Sequence, residues 1–216
     1  MQYAILIDAG FLKHKLGSAK RPMTIEQIRD LINDLKNHPE LKEHRLHRIY
    51  YYDALPFLGK NKKPLSAEIT DFSKTDTVER QEQLLASVKK EPFFAVRLGE
   101  LSFEGWQIKP KLLKTSASQI TVTSDDMRPK ISQKGVDMRI GMDMAALVLK
   151  HIAQILVLVT GDSDFVPAMK FARREGSAVY MVPLGHPIKE IVKEHCDLIF
   201  EDIMPKKLIP DTCKER

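Results

Sequence analysis

The chain alternates short, dense apolar runs with longer stretches that carry apolar residues at helical spacing, and this alternation restricts its fold more than any other feature. Short apolar runs are typical of strands that are covered on both faces of a sheet. Because strands joined through helices form right-handed parallel crossovers, the pattern predicts an α/β three-layer sandwich with a central, mainly parallel sheet. The predicted strands are Tyr3 to Ile7, Arg48 to Tyr52, Phe93 to Leu98, Ile155 to Thr160, Ala178 to Val182 and Leu198 to Phe200. The predicted helices are Thr24 to Asn37, Thr77 to Lys90, Met138 to His151, Asp164 to Glu175 and Pro187 to Glu194.

Residues 105–135 interrupt this alternation. They are long for a connection, and the segments WQIKPK and QITVT within them alternate polar and apolar residues as strands do. We therefore predict a small inserted β-hairpin arm beside the sheet. Residues 1–202 are predicted to form one domain that includes this arm, and residues 203–216, which contain two prolines and mixed charges, are predicted to be a loosely ordered tail.

The cysteines and the apolar stretches indicate a cytoplasmic protein. Cys196 and Cys213 are far apart and form no CxxC pair, which argues against a disulfide framework and a structural zinc site. The first ten residues do not resemble a secretory signal. The longest apolar stretch, Ile152 to Val159, contains Gln154 and is too short to cross a bilayer, so no membrane partner is expected.

Positive charge is concentrated in the predicted arm. The chain carries a formal charge of +5, and residues 105–136 alone hold six basic residues against two acidic ones. This excess is compatible with an anionic partner such as RNA, although lysines of this kind can equally be solvated loop residues. Trp106 lies beside the basic residues and is a candidate for stacking on an unpaired base. The predicted nucleic-acid-binding residues are Lys60, Lys62, Lys63, Trp106, Lys109, Lys111, Lys114 and Lys134.

Aspartates follow two of the predicted strands. Asp8 ends the run AILID, while Asp162 and Asp164 follow the run ILVLVT in the segment TGDSDF. The carboxyl ends of parallel strands lie at one edge of the sheet, where ligands bind in α/β proteins. Capping of the following helix is an alternative role for Asp164, but it explains neither of the other two aspartates.

Two further aspartates lie in the segment KGVDMRIGMDM. Asp137 precedes an apolar helical stripe of Met138, Met142, Ala145 and Leu149, in the position of a helix N-cap. Asp143 follows six residues later, about 240° around a helix, so the two side chains share a site only if Asp137 precedes the helix. The apolar neighbours of Asp143 favour a role in a site, with a half-exposed helix position as the alternative.

Five carboxylates at one edge of a sheet repel one another unless a cation neutralises them. All of the candidate ligands are oxygen donors, which favours Mg²⁺ or Mn²⁺ over zinc. Such a cation can activate water for attack on a phosphodiester. The predicted metal ligands and catalytic residues are Asp8, Asp137, Asp143, Asp162 and Asp164.

The segments AILIDAG, KGVDMRIGMDM and LVLVTGDSDFVPAMKFARREG, in this order and spacing, resemble the NYN domain of the PIN-like nuclease superfamily, particularly its LabA-like branch. The resemblance covers roughly residues 1–202, with the arm as its least similar part. It implies a PIN-like three-layer fold and a metal site that includes Asp8, Asp137, Asp162 and Asp164. Asp143 falls where the broader PIN-like pattern has an acid. The resemblance further implies a Mg²⁺- or Mn²⁺-dependent endoribonuclease whose substrate is RNA.

The sequence motifs of other enzyme classes are absent from the chain. The chain contains no P-loop, no dinucleotide-binding glycine turn and no serine-esterase elbow. A dehalogenase-type phosphatase would carry a second acid two residues after Asp8, where Gly10 stands. The remaining alternative is a non-catalytic RNA-binding or regulatory adaptor with the same fold, which a cleavage assay in Mn²⁺ against EDTA distinguishes from a nuclease.

Overall fold

The structure, a computed structural model, describes residues 1–18, 20–114 and 116–205, and within these ranges nine strands and six α-helices follow one another. The strands are β1 (Gln2–Asp8), β2 (Arg45–Ala54), β3 (Lys60–Lys62), β4 (Ile69–Asp71), β5 (Phe94–Ile108), β6 (Met127–Lys134), β7 (Ile155–Val159), β8 (Ala178–Met181) and β9 (Leu198–Ile199). The helices are α1 (Ala9–Leu16), α2 (Ile25–Asn37), α3 (Asp76–Val88), α4 (Val136–Leu149), α5 (Val166–Arg174) and α6 (Glu190–Lys193).

Seven of the strands form one sheet in the order β6-β5-β2-β1-β7-β8-β9. Every neighbouring pair is parallel except β5 and β6, which are antiparallel. Strands β3 and β4 form a separate antiparallel hairpin. Five of the six predicted strands are confirmed with small changes at their ends, and the sixth, β5, runs ten residues beyond its predicted end at Leu98. The predicted α/β fold with its mainly parallel central sheet is also confirmed.

Helices cover the sheet on both sides. One apolar layer packs α1, α2 and α3 against the sheet through Leu12, Ile28 and Leu85. The other packs α4 and α5 against the opposite side, through Ile140 and Met169 among others. All five side chains are almost entirely buried. The central strands are therefore apolar on both faces, which is why they stand out as continuous apolar runs in the sequence.

The start of α1 is not predicted by the sequence pattern, and it depends on Asp8. The carboxylate of Asp8 caps the helix by accepting a hydrogen bond from the amide of Phe11, with an oxygen to nitrogen distance of 3.1 Å. Ala9 and Leu12 then bury against the sheet. Helix α2 begins as predicted, because Thr24 and Gln27 form a reciprocal capping box.

Helix α4 does not bury the whole of the apolar stripe that the sequence shows. The stripe of Met138, Met142 and Leu149 is exposed, at 72%, 66% and 57% of the reference surface. The buried residues are Val136, Ile140, Met144, Leu147 and Val148. The helix is apolar on both sides, so its periodicity alone could not decide which side faces the sheet.

The predicted β-hairpin arm exists, but only its first strand is placed correctly by the sequence pattern. The segment WQI forms the end of β5, whereas Gln119 to Thr123 form no strand; β6 begins only at Met127. The side chain of Asp126 accepts hydrogen bonds from the amide and hydroxyl of Thr123, which build a tight turn just before β6. Pro129 lies opposite Trp106 beside a register shift, where its missing N–H is tolerated.

The arm extends beyond the carboxyl edge of the parallel sheet. The pairing of β5 with β2 ends at Gly99, and residues Glu100 to Ile108 pair with β6 instead. At about 3.3 Å per residue this extension reaches roughly 25–30 Å past the edge. A cluster of stacked and edge-to-face rings holds the β3–β4 hairpin against it. The rings belong to Phe57, Phe72, Phe103 and Trp106.

Towards its carboxyl end the chain differs from expectation in one helix. The predicted helix Pro187 to Glu194 is confirmed only for Glu190–Lys193. The predicted tail lies, from residue 206 onward, outside the described residues, as does Cys213. Within the described ranges, none of the helices combines the length and the hydrophobicity that crossing a bilayer requires.

Candidate metal centre and nucleic-acid interface

Asp8 lies at the carboxyl end of β1, in the centre of the sheet. One carboxylate oxygen caps α1, and the other accepts a 3.4 Å hydrogen bond from the hydroxyl of Thr160, which follows the neighbouring strand β7. The side chain is half-buried. A hypothetical Cβ on Gly10 would lie 3.2 Å from the Asp8 carboxylate and 3.4 Å from the side-chain oxygen of Gln133 on β6. The end of the arm, where β6 returns to the parallel sheet, therefore adjoins this carboxylate.

The loop after β7 presents two exposed aspartates. The amide of Asp162 donates to the hydroxyl of Thr160 at 3.2 Å, and the amide of Asp164 donates to a carboxylate oxygen of Asp162 at 2.9 Å. Asp162, and not Asp164, is thus the residue that caps the short 3-10 turn Ser163–Phe165. This cap uses one of its carboxylate oxygens. The ammonium of Lys189 donates to the hydroxyl of Ser163 at 2.9 Å and so brings a positive charge next to the loop.

Asp137 approaches the same edge of the sheet from α4. The prediction that it is the N-cap of this helix is wrong, because Gly135 occupies that position with a φ of 74° and Asp137 is the second helical residue. A left-handed backbone is favourable for glycine. The close approach of β5 fixes the position of the helix start, since a Cβ on Gly99 would lie 2.7 Å from Cγ2 of Val136.

The electrostatics link these four aspartates, here called the aspartate quartet: Asp8, Asp137, Asp162 and Asp164. Burial raises the pKa of Asp8, and the charge of Asp137 raises it further, against opposing hydrogen bonds from the amides of Phe11 and Gly10 and from Thr160. Partial desolvation also raises the pKa of Asp137, and the charges of Asp162 and Asp164 add to it. The quartet therefore concentrates uncompensated negative charge at the carboxyl edge.

Asp143 has different surroundings from the quartet. Because Asp137 is already helical, the two side chains point about 120° apart, with about 9 Å between them along the helix axis. One carboxylate oxygen of Asp143 accepts hydrogen bonds from the hydroxyl of Tyr52 at 2.8 Å and from Nε of Arg97 at 3.2 Å. The condition under which Asp143 was predicted to share a site with Asp137 is therefore not met. Asp143 is engaged by β2 and β5.

Three of the seven predicted RNA-binding lysines are already paired with acids. Lys60 pairs with Asp71, Lys63 with Asp125, and Lys134 with Glu104. Glu104 also pairs with Lys130, and hydrogen bonds from Ser132 and the two lysines lower its pKa to about 2. Lys109 donates to the backbone oxygen of Asp125. Among the described residues, no ion pair involves the remaining predicted lysines, Lys62, Lys111 and Lys114.

Trp106, the predicted base-stacking residue, is partly buried in the aromatic cluster. Its ring packs against Phe72 and Phe103 in the aromatic cluster, at centroid distances of 6.2 and 5.9 Å. Its indole nitrogen is buried, without a hydrogen-bond partner among the described residues. Within the structure Trp106 thus holds the arm against the β3–β4 hairpin.

Two polar groups near the site are not found by sequence reasoning. Arg97 projects from the apolar strand segment FAVRLG, where a charged residue is a signal in itself. The carboxylate of Asp53, at 3% exposure, forms a 2.6 Å ion pair with Lys13 on α1. That pair ties α1 to the end of β2 and so helps to hold Asp8 in place.

The donor chemistry of the quartet fits a hard divalent cation. Its members offer only carboxylate oxygens, and their mutual repulsion is the kind that a bound cation relieves. Among the described residues, no group of three or more His, Cys, Asp or Glu side chains is placed to hold a metal ion. Mg²⁺ is commonly held by only one or two carboxylates, with water and substrate phosphate as its other ligands. The residues present fit such a site.

The raised pKa of Asp8 leads to a prediction for stability. A carboxyl group whose pKa is raised by folding favours the folded state at low pH, and this contribution is lost as the pH rises through the folded pKa. Asn caps a helix as well as Asp does. Asp8→Asn should therefore melt higher than the parent at neutral pH in EDTA, by a few degrees, since 1 kcal/mol corresponds to about 2–4 °C in a chain of this size.

The measurement is a pair of melting curves across the pH range from about 3.5 to 7.5, spanning the ordinary pKa of Asp. The difference should vanish at the acidic end and grow towards neutral pH. Millimolar Mn²⁺ should raise the melting temperature of the parent but raise that of the variant much less. If the difference in melting temperature does not depend on pH, or if Mn²⁺ raises both melting temperatures equally, the carboxylate charge of Asp8 is not the cause of the difference.

Comparison with known proteins agrees with this geometry. Residues 94–202 match the NYN domain. The chain belongs to the NYN domain family. The match includes α4 and the loop after β7, and with them three members of the aspartate quartet; Asp8 lies ahead of it. NYN domains have the PIN-like nuclease fold and are generally nucleases, which supports a nuclease here.

One solved structure resembles the chain over nearly its whole length. It is the crystal structure of a protein of unknown function from Vibrio parahaemolyticus, with a TM-score of 0.50, 13% sequence identity and coverage of 94% of each chain. At this identity the likeness extends to the fold alone. No curated protein matches the chain.

Proposed function

We propose that this NYN domain is a ribonuclease that hydrolyses phosphodiester bonds in RNA with the help of Mg²⁺ or Mn²⁺. The observation that carries the proposal is the convergence of four aspartates from three separate segments on one edge of the sheet, with raised pKa values for Asp8 and Asp137. A cluster of like charges at the carboxyl edge of a parallel sheet is costly for folding, which supports a functional role. Internal cleavage, membership of the LabA-like branch and a cytoplasmic location stay predictions.

The residues of the aspartate quartet would together form the metal site. Asp8, Asp137, Asp162 and Asp164 would hold the cation, one or two of them directly and the others through its bound water. When bound, the cation supplies Lewis-acid activation of the phosphate and of an attacking water. Thr160 orients Asp8 and the amide of Asp162 through its hydroxyl. Because Asp162 and Asp164 are exposed, RNA can approach them from solvent without opening of the fold.

The experiment is a cleavage assay on single-stranded and hairpin RNA, labelled in turn at the 5′ and the 3′ end. Cleavage in Mn²⁺ or Mg²⁺ that stops in EDTA is expected, with internal products visible from both labels. RNA binding without cleavage under every metal condition would instead favour the non-catalytic adaptor. Equal cleavage in EDTA would rule out the metal-dependent mechanism.

The arm is proposed to guide the RNA backbone, and Lys111 and Lys114 are its best candidates because neither forms an ion pair within the described residues. Changing Lys109, Lys111 and Lys114 together to Gln should weaken RNA binding and flatten its salt dependence. The slope of log affinity against log salt should fall by about 0.7 for each phosphate of a single strand that a lysine no longer neutralises. Turnover at saturating RNA should change little.

A matched control removes the same charge from the opposite edge of the sheet. Lys36, Lys89 and Lys90 lie near the ends of α2 and α3, close to the amino ends of β2 and β5. Their change to Gln should leave the slope as it is in the parent. If both triple variants reduce the slope equally, the arm lysines act only through net charge.

A further inference from the structure

Arg97 lies in one row with Asp8. In the sheet, Asp8 of β1 is the register partner of Tyr52 on β2, and Tyr52 is the partner of Arg97 on β5. The three strands are neighbours and parallel, with about 4.8 Å between adjacent strands. Tyr52 and Arg97 face the side that α4 covers, because Tyr52 packs in that apolar layer and Arg97 donates to Asp143 of α4. The Cα atoms of Arg97 and Asp8 are therefore about 10 Å apart, which is two strand spacings.

The guanidinium of Arg97 is held in place from two sides. Nε donates to Asp143 at 3.2 Å, and the planar group lies 5.4 Å from the ring centre of Tyr50. Tyr52 donates to the same oxygen of Asp143 and so fixes that carboxylate. An arginine restrained in this way loses little conformational freedom when it binds a ligand.

The terminal amino groups of Arg97 are accessible to a ligand. The side chain is 43% exposed, and its two terminal amino groups have no hydrogen-bond partner among the described residues. Two parallel N–H donors on a fixed planar group match the oxygens of a phosphate. Asp143 occupies only Nε, so it positions the group without blocking this pair of donors.

The charge distribution indicates which ligand this group would take. The aspartate quartet repels a phosphate backbone, so RNA that reaches it needs cations on the flanks. Arg97 supplies one on the β5 side, while Lys189, bonded to Ser163, supplies one beside the loop after β7. A strand of RNA laid across the carboxyl edge would pass from one to the other over the quartet.

We propose that Arg97 binds a phosphate of the RNA strand on the β5 side of the aspartate quartet, and that Asp143 anchors Arg97 instead of binding the cation. The inference rests on the proposed function, because RNA is the ligand in both. It explains why an acid stands at position 143 among apolar neighbours: its charge is balanced by Arg97, and its oxygen is shared with Tyr52. Arg97 is thus a substrate-binding residue, and Asp143 is a positioning residue.

The test is RNA binding in EDTA, where no metal-dependent cleavage can occur. For single-stranded RNA, Arg97→Gln should bind at least about tenfold more weakly at low salt, as expected when a charge-assisted hydrogen bond is removed. Its salt slope should be smaller by about 0.7. Arg97→Lys should keep the slope and lose part of the affinity, since the ammonium retains the charge but lacks the paired donors.

Arg173 is the matched control. Its Nε donates to Asp197 at 3.0 Å, and its side chain is 37% exposed, but it lies on α5 near β9. Arg173→Gln should leave the affinity and the slope unchanged. If Arg97→Gln also leaves both unchanged, or if both variants reduce them equally, the proposal is overturned.

Asp143→Asn tests the second half of the proposal. If Asp143 is an anchor, the Mn²⁺ concentration that gives half of the maximal melting-temperature shift stays as in the parent. An abolished or displaced Mn²⁺ response would make Asp143 a ligand and overturn this part. The RNA-binding results and the cleavage results can be told apart. If RNA binding depends on Arg97 but no RNA is cleaved in Mn²⁺, the Arg97 phosphate site is supported and the proposed nuclease activity is rejected.

Discussion

Asp162→Asn should reduce the rate of RNA cleavage by about a thousandfold or more, and leave the fold and RNA binding largely intact. The reduction corresponds to several kcal/mol of metal-assisted catalysis, at about 1.4 kcal/mol per factor of ten. The structure explains why the fold should persist. Asp162 caps a short turn by accepting from the amide of Asp164, and the carbonyl oxygen of Asn can accept the same hydrogen bond. What the substitution removes is the negative charge.

Asp30→Asn is the control for this variant, because Asp30 is an exposed aspartate on α2, a helix on the other side of the sheet. It should cleave at the parental rate. Rates are to be measured at saturating RNA in Mn²⁺, with affinity determined separately in EDTA. An Asp162→Asn protein that cleaves nearly as fast as the parent would remove the catalytic role of this residue and leave the adaptor as the better account.

Gly99→Ala should disturb the site without touching any of its charges. The added Cβ would lie 2.6 Å from the backbone oxygen of Lys134 and 2.7 Å from Val136, so the start of α4 has to move. Overpacking of this kind costs about 1–3 kcal/mol of stability. Because α4 carries Asp137, the rate of cleavage should fall by about a hundredfold for a displacement of about 1 Å.

Gly141→Ala provides the matched control within the same helix. A Cβ there would meet only the Cβ of Ala168, at 3.9 Å, which is an ordinary van der Waals distance. Alanine also favours a helix over glycine by up to about 1 kcal/mol, so this variant should be as stable as the parent or more so. Parental melting temperature and parental rate for Gly99→Ala would show that the start of α4 tolerates the extra methyl group.

The sheet is predictable because its central strands are buried on both faces and therefore stand out as apolar runs. Helix α1 is not predictable from its pattern. Ala9, Leu12 and Leu16 have helical spacing, but the segment is only eight residues long, contains Gly10 and is followed by Gly17. Its true signal is Asp8 at the N-cap. The sequence pattern indicates this aspartate only as a ligand, yet it also begins the helix.

The electrostatics of the site are less predictable, since they depend on pairs that form across strands. Glu104 lies one residue before the basic segment 105–136, and it compensates Lys130 and Lys134 from the neighbouring strand. Proximity in sequence groups Asp143 with Asp137. Only the start of α4 at Val136 shows that the helix turns Asp143 towards Tyr52 instead.

The most direct test of the central claim is a crystal of the protein grown with Mn²⁺ and measured for anomalous scattering at the manganese edge. The account predicts a peak among the carboxylates of the aspartate quartet, absent from crystals of Asp162→Asn, in a protein whose RNA cleavage stops in EDTA. A peak elsewhere, or no peak in a protein that still cleaves RNA in EDTA, would contradict it.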